Sequence, residues 1–173
     1  MLKIIFKRRL FSKNMLFYDI LGVKKQGENI WKEGIFMMWK EKYKIGVERI
    51  DEQHKELFKR LSNFIQIVQD DIPWKEKLDS VKETMAFMQQ YVEYHFDDEE
   101  KYQKEINYPD IELHKEIHAK FKQEIYDYVQ IFEQGEFTEE KVQEFSAKLM
   151  TWLIMHVGKM DQKIGEYVRE KGE

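Results

Sequence analysis

The fold is decided by two stretches, His95-Phe96-Asp97-Asp98-Glu99 and His114-Lys115-Glu116-Ile117-His118, which a turn at residues 107–110 separates. Each stretch holds two metal-ligating side chains four residues apart. Because an α-helix turns once in about 3.6 residues, both members of a pair leave the same face of a helix. The pattern therefore predicts a hairpin of two helices that aims four ligands at one point: His95, Glu99, His114 and His118.

The composition is that of a strongly amphipathic helical protein. The chain has 173 residues, of which 42% are hydrophobic and 36% are charged, and it contains only two prolines and eight glycines. An all-β chain would need more turn residues. There are no cysteines, which excludes disulfides, zinc–thiolate sites, iron–sulfur clusters and thiol catalysis. The five histidines are then the remaining borderline-soft metal ligands.

Apolar residues at spacings of three and four predict four long helices. We expect them at Asp51–Gln69, Trp74–Ile106, Asp110–Glu133 and from about Thr138 onwards. Asp51 and Thr138 are predicted as N-caps, and Gly135 as a C-cap. The short connections predict an all-α, antiparallel up-down-up-down four-helix bundle. An ordered N-terminal arm at residues 39–50 is expected to lead into the first helix.

Histidines interrupt every one of the four apolar stripes. All five lie on the buried phase, and in an antiparallel bundle all five fall at the same end: His54, His95, His114, His118 and His156. Glu99 is in phase with His95, whereas Asp161 follows His156 by five residues and is slightly out of phase. A carboxylate that faces a core must be paired or bound to metal, and no lysine or arginine is in phase. The sequence therefore predicts a metal site at this end of the bundle.

Seven ligands exceed the four or so that a zinc ion takes, and they suit two metal ions that share bridging carboxylates. Imidazole with carboxylate fits iron, and also copper, nickel or zinc. The Glu-x-x-His motif of ferritin-like di-iron proteins is absent from the sequence. The other nearby acids are predicted to be solvated or, at most, to lie outside the ligand set: Asp97, Asp98, Glu100, Glu112 and Glu116.

Several spaced motifs resemble those of the hemerythrins, most closely the bacterial ones. The similarity runs from Met38 to about Val168 through the segments Ile45-Gly46-Val47, Ile50-Asp51-Glu52-Gln53-His54-Lys55, His95-Phe96-Asp97-Asp98-Glu99-Glu100, His114-x3-His118-x2-Phe121 and Trp152-Leu153-x2-His156-x4-Asp161. The resemblance implies a hemerythrin-like di-iron domain at residues 37–173.

The resemblance also implies the role of each site residue. One iron ion would be held by His114, His118 and His156, and the other by His54 and His95. Glu99 and Asp161 would bridge the two ions (Fe²⁺ or Fe³⁺) together with an oxo or hydroxo group. Dioxygen would bind at the two-histidine iron, in a pocket formed by Leu153, Trp152 and Phe58.

The expected function is reversible dioxygen binding, for oxygen storage or for delivery to oxygen-requiring enzymes. The alternative is a regulatory module that senses oxygen, redox state or iron. An oxidase or peroxidase is disfavoured, so the protein is expected not to be an enzyme. Residues 37–173 carry nine more acidic than basic residues, which excludes nucleic acid as an expected partner. We expect a cytoplasmic monomer whose domain does not bind a membrane.

Residues 1–36 differ from the rest, with eight basic against three acidic residues. They are predicted to be a tail, and the alternatives are a disordered basic segment, an amphipathic membrane anchor or a non-native upstream extension. A signal peptide is disfavoured because Arg8 and Arg9 interrupt its apolar core. The extension is considered because Lys32-Glu33-Gly34 can be encoded by a ribosome-binding sequence just upstream of Met37 and Met38.

Overall fold

The computed structural model describes residues 39–135 and 137–172, so the predicted tail lies outside the described residues. A short 3₁₀ helix at Glu41–Tyr43 precedes α1 (Glu48–Gln69), α2 (Trp74–Glu105) and α3 (Ile111–Glu133). The fourth helix has three parts: α4 (Glu139–Met155), a π-helical turn (His156–Met160) and α5 (Asp161–Lys171). None of the helices in this part of the chain is long and apolar enough to cross a membrane.

The four helices pack side by side around a continuous core. α1 lies against both α2 and α4, and α2 lies against α3. Aromatic rings join α3 to α4, with Phe121 stacked on Trp152 at 3.6 Å and Tyr128 beside Phe145 at 4.8 Å between centroids. This arrangement confirms the predicted hemerythrin-like four-helix bundle, because short connections force neighbouring helices to run antiparallel.

The helix ends agree with the sequence prediction in one case and correct it in another. The hydroxyl of Thr138 accepts a hydrogen bond from the Lys141 amide at 3.3 Å, as an N-cap should. The prediction of Asp51 as an N-cap was wrong, because α1 begins one turn earlier and Val47 occupies the cap position. The Asp51 carboxylate instead accepts from the amides of Ile45 (2.8 Å) and Gly46 (3.2 Å), which fixes the arm to α1.

The π-helical turn explains how Asp161 reaches the site. In a regular α-helix five residues rotate a side chain by about 500°, which would place Asp161 roughly 140° away from His156, so the expectation that it is only slightly out of phase underestimated the offset. The wider π turn at His156–Met160 inserts one residue and removes most of that offset. Asp161 and Ile164 are consequently fully buried, whereas Met160, directly before Asp161, is only half-buried.

The N-terminal arm lies across the end of the bundle that carries the histidines. Tyr43 stacks on Phe58 with 5.0 Å between centroids, and the Tyr43 carbonyl accepts a hydrogen bond from Gln162 at 2.9 Å. A Cβ at Gly165 would clash with the backbone of Ile45, so glycine is what allows α5 to approach the arm this closely. The arm therefore covers α1 and α5 next to His54 and Asp161.

Candidate metal centre

The structure brings all seven predicted ligands together at one end of the bundle. Each is buried, with no more than 2% of its surface exposed: His54, His95, Glu99, His114, His118, His156 and Asp161. The ligating atoms of six of them, all except Asp161, form two groups, in each of which all atoms lie within 4.8 Å of one another. One group contains His114, His118 and His156, the other contains His54 and His95, and Glu99 belongs to both.

The three-histidine group is compact. The Nε2 atoms of His118 and His156 lie 2.9 Å apart. Glu99 Oε2 lies 3.2 Å from His114 Nε2 and 3.3 Å from His118 Nε2. Asp161 Oδ1 lies 3.3 Å from His114 Nε2 and 3.1 Å from His156 Nε2. Together the two carboxylates therefore contact all three imidazoles, and both of them contact His114.

The two-histidine group adjoins it and is less crowded. The rings of His54 and His95 meet edge to face with 4.8 Å between centroids. His54 Nε2 lies 3.2 Å from Asp161 Oδ2, the oxygen that does not face the three-histidine group. Asp161 thus presents one oxygen to each group, and Glu99 is shared as well. Two carboxylates between two histidine groups are donors that could hold metal ions.

Buried polar atoms that form no hydrogen bond, although some lie 3.1–3.3 Å from another ligand atom, test whether a metal fits. Five such atoms point to unused ligand capacity: Nε2 of His54, Nε2 of His95, Oε1 of Glu99, and Oδ1 and Oδ2 of Asp161. Leaving buried polar atoms unpaired costs about 1–3 kcal/mol each, more for charged groups. Two imidazole nitrogens bound cis to one ion at ~2.1 Å would stand about 3 Å apart, and the His118–His156 distance of 2.9 Å matches that. The residues therefore fit metal ions.

Burial and nearby carboxylates shift the pKa values of three ligand histidines in opposite directions. Burial lowers the pKa of His95 to about 3 and that of His156 to about 4. Burial also opposes the charged form of His114, but Asp161 and Glu99 outweigh it and raise its pKa to about 9. Burial and Asp161 would raise the pKa of Glu99, yet contacts with the histidines hold it below its usual range. At this depth the charge of the two carboxylates must be balanced, either by a protonated imidazole such as that of His114 or by a bound metal ion.

Two ligand histidines have outer hydrogen-bond partners that the sequence did not identify. His118 Nδ1 donates to Glu100 Oε1 at 2.8 Å, and His95 Nδ1 donates to Gln53 Oε1 at 2.9 Å. Gln53 Nε2 in turn donates to Asp98 at 2.7 Å. Glu100 and Asp98 thus lie outside the ligand set, as predicted, and interact with the ligand histidines directly or through Gln53. Gln53 escaped prediction because its contact joins residues 42 positions apart.

Aromatic rings form a wall on the three-histidine side. Phe96 stacks on His118 with 3.7 Å between centroids and 2° between planes, and Trp152 stacks on His156 at 4.2 Å. Leu153 is buried and lines, with Phe96 and Trp152, an apolar cavity of about 10 Å³ beside the site. Phe96 was missed as a wall residue, although it directly follows His95.

The third predicted pocket residue, Phe58, lies on the same helix as His54 and packs against the arm. Phe58 is fully buried one turn after His54, between Tyr43 and Trp39 of the arm. Trp39 also lies near His54, with 6.5 Å between ring centroids. Trp152 and Leu153 line the apolar cavity together with Leu57 and Leu61 of α1, and Phe58 lies next to Leu57 in the sequence.

A helical bundle with a buried histidine–carboxylate centre defines a class of metal-binding protein, and comparison with known families agrees. The family model described as the hemerythrin HHE cation binding domain matches residues 45–168. The chain therefore belongs to the hemerythrin family, which confirms the resemblance found in the sequence.

Individual relatives support the same assignment. A bacteriohemerythrin of Clostridium acetobutylicum is 26% identical over 73% of this chain and 96% of its own length. A bacteriohemerythrin of Campylobacter jejuni is 30% identical over 70% of this chain and 87% of its own length. A myohemerythrin of Theromyzon tessulatum is 34% identical over 48% of this chain and 60% of its own length.

Proposed function

We propose that this protein binds dioxygen reversibly at a pair of iron ions, and that it stores oxygen or delivers it to oxygen-requiring enzymes. The observation that carries the proposal is the pair of adjoining, fully buried ligand groups that share Glu99. Membership of the hemerythrin family and similarity to bacteriohemerythrins support iron and dioxygen as the ion and the ligand. Imidazole with carboxylate is also a donor set that suits iron.

The distances support one assignment of ligands to ions. His114, His118 and His156 would hold one iron, and His54 and His95 would hold the other. Glu99 and Asp161 would bridge them, because Asp161 Oδ1 lies 3.1 Å from His156 and Oδ2 lies 3.2 Å from His54. When bound, and with its oxo or hydroxo bridge, the iron pair would supply the electrons that dioxygen takes up and returns.

The protein's own side chains would make the binding selective and reversible. The two-histidine side offers one imidazole fewer than the other, which leaves room for a small ligand there. Phe96, Trp152 and Leu153 line an apolar cavity that also reaches Leu57 and Val92, close in sequence to His54 and His95. Such a lining would keep water from the site and protect a bound ligand from protonation and loss. The description of Leu153, Trp152 and Phe58 as the oxygen pocket stays a prediction.

The test is spectroscopic. The protein is loaded with iron, reduced without air, exposed to oxygen and then purged. We expect a visible charge-transfer band that appears with oxygen and disappears when oxygen is removed, over several cycles. The assigned ligand set also predicts an iron content of about two ions per chain. Zinc-loaded protein is the control and should show no band. Irreversible oxidation with continued consumption of added reductant would contradict the proposal and favour an oxidase.

Sensing of oxygen, redox state or iron stays the alternative to storage or delivery. The monomeric state and cytoplasmic location also stay predictions.

A further inference from the structure

The two histidines with outer hydrogen bonds belong to different ligand groups and have different acceptors. His118, in the three-histidine group, donates from Nδ1 to the Glu100 carboxylate at 2.8 Å. His95, in the two-histidine group, donates from Nδ1 to the Gln53 amide oxygen at 2.9 Å. The distances are nearly equal, so the contacts differ in the charge of the acceptor rather than in geometry.

The orientation of Gln53 follows from its other neighbour. The Asp98 carboxylate can only accept a hydrogen bond, so the Gln53 NH₂ group must face it, at 2.7 Å. The Gln53 oxygen is thereby turned towards His95, whose Nδ1 must carry the proton. His95 Nε2 is then left with its lone pair, and it is one of the buried atoms without a partner.

The carboxylate that lies beyond the Nδ1 side of His95, Asp98, does not touch the imidazole and is paired with a cation. Asp98 is separated from His95 by the whole amide of Gln53, and Arg49 pairs with the same Asp98 oxygen at 3.0 Å. Glu100 touches His118 directly, and in the described part of the chain no lysine or arginine forms an ion pair with it. The two ligand groups therefore experience different outer charge.

A carboxylate that accepts a ligand imidazole's proton makes that imidazole a stronger electron donor. A stronger donor favours the more highly charged ion. We propose that Glu100 and Gln53 are positioning residues that make the two iron sites unequal: Glu100, through His118, stabilises trivalent iron at the three-histidine site, and Gln53, through His95, leaves the two-histidine site easier to reduce. This inference rests on the iron pair proposed above.

The proposal predicts the order in which a fully oxidised centre accepts two electrons from a one-electron reductant such as dithionite. The first electron should convert Fe³⁺ to Fe²⁺ at the two-histidine site. The second should do the same at the three-histidine site at a lower potential. Both steps are measurable by spectroelectrochemical titration of the iron-loaded protein.

Three variants separate charge from packing. Glu100→Gln keeps an acceptor for His118 and removes the charge. Glu93→Gln removes the same charge from an exposed position on the same helix, and serves as the matched control. The double variant Gln53→Glu with Asp98→Asn moves one carboxylate next to His95 without changing the net charge.

We expect Glu100→Gln to raise only the reduction potential of the second step, at the three-histidine site. The double variant should lower only the reduction potential of the first step, at the two-histidine site. Glu93→Gln should move neither. The proposal is overturned if Glu100→Gln behaves like Glu93→Gln, or if it shifts both steps equally, as a general change of charge would.

Cobalt binding provides a second readout that does not depend on oxygen or on iron chemistry. Titration of the metal-free protein with Co²⁺ should show one of two binding steps weakened roughly 10–100-fold in Glu100→Gln, the usual effect of losing an outer partner. Unchanged affinity at both steps would refute the inference. Failure of the proposed function is distinguishable, because the unsubstituted protein would then lack two irons or a reversible oxygen band.

Discussion

Replacing Gly165 by alanine tests whether the close approach of α5 to the N-terminal arm is a real constraint. The Cβ of Gly165→Ala would stand 2.9 Å from Ile45 Cα and 3.0 Å from the Ile45 carbonyl carbon. Non-bonded carbon atoms prefer about 3.5–4.0 Å, so the arm would have to retreat by roughly 0.5–1 Å. Ile45 is only 1% exposed and its amide is held by Asp51, so it has little freedom to move.

The two energetic effects of this substitution have opposite signs. Alanine is better than glycine in a helix interior by about 1 kcal/mol, which would stabilise α5. Overpacking against a fixed backbone costs about 1–3 kcal/mol. Because the clash involves backbone atoms rather than a flexible side chain, we expect the cost to prevail and the free energy of unfolding to fall by about 1–2 kcal/mol.

Chemical denaturation and thermal unfolding measure the outcome. A loss of that size should lower the melting temperature by about 2–8 °C for a chain of this length. The control is Glu166→Ala at the next position, which is exposed and should change stability by less than about 0.5 kcal/mol. If Gly165→Ala is as stable as the unsubstituted protein or more stable, the argument from close packing is refuted.

Three further predictions concern the site and the helix ends. His118→Ala should lose most of its iron and, because metal binding is coupled to folding, unfold at lower denaturant; metal analysis that still finds two irons per chain would contradict the ligand assignment. Thr138→Ala should reduce the free energy of unfolding by about 1 kcal/mol through loss of the α4 cap, whereas Thr151→Ala, at an exposed site within α4, should change it less. Burial raises the pKa of Tyr108 to about 12, above an unfolded value near 10. The folded state therefore holds this proton longer, so stability should decline as pH rises from about 10 to 12, and Tyr108→Phe should flatten that decline in denaturation curves.

Much of the fold was predictable because the apolar pattern repeats over long segments. The stripes of four helices, the Thr138 cap and the short connections are local features, and each carries its own signal in the sequence. The start of α1 was less predictable. Asp51 has the side chain of an N-cap, but a tertiary contact with the arm uses its carboxylate for the amides of Ile45 and Gly46 instead.

The convergence of the ligands was also accessible from helical phase and direction, with one exception. Asp161 is out of phase with His156 on a regular helix, and only the π turn brings it into the site. No local signal in the residues His156–Met160 predicts a π turn. Its extra residue is tolerated only where the packing and the ligands on both sides stabilise it. Family motifs therefore indicated the position of Asp161, whereas regular helical periodicity would have turned its side chain away from the site.

What the sequence determined by itself is the set of groups that can bind metal and the end of the bundle where they meet. That information is local, since it depends on spacing along each helix and on the alternating direction of the helices. Tertiary structure alone decided the hydrogen-bond partners of the ligand histidines. Glu100 accepts from His118, and His95 is linked through Gln53 and Asp98 to Arg49. Those contacts join side chains on different helices, whose rotation and depth depend on how the whole core packs.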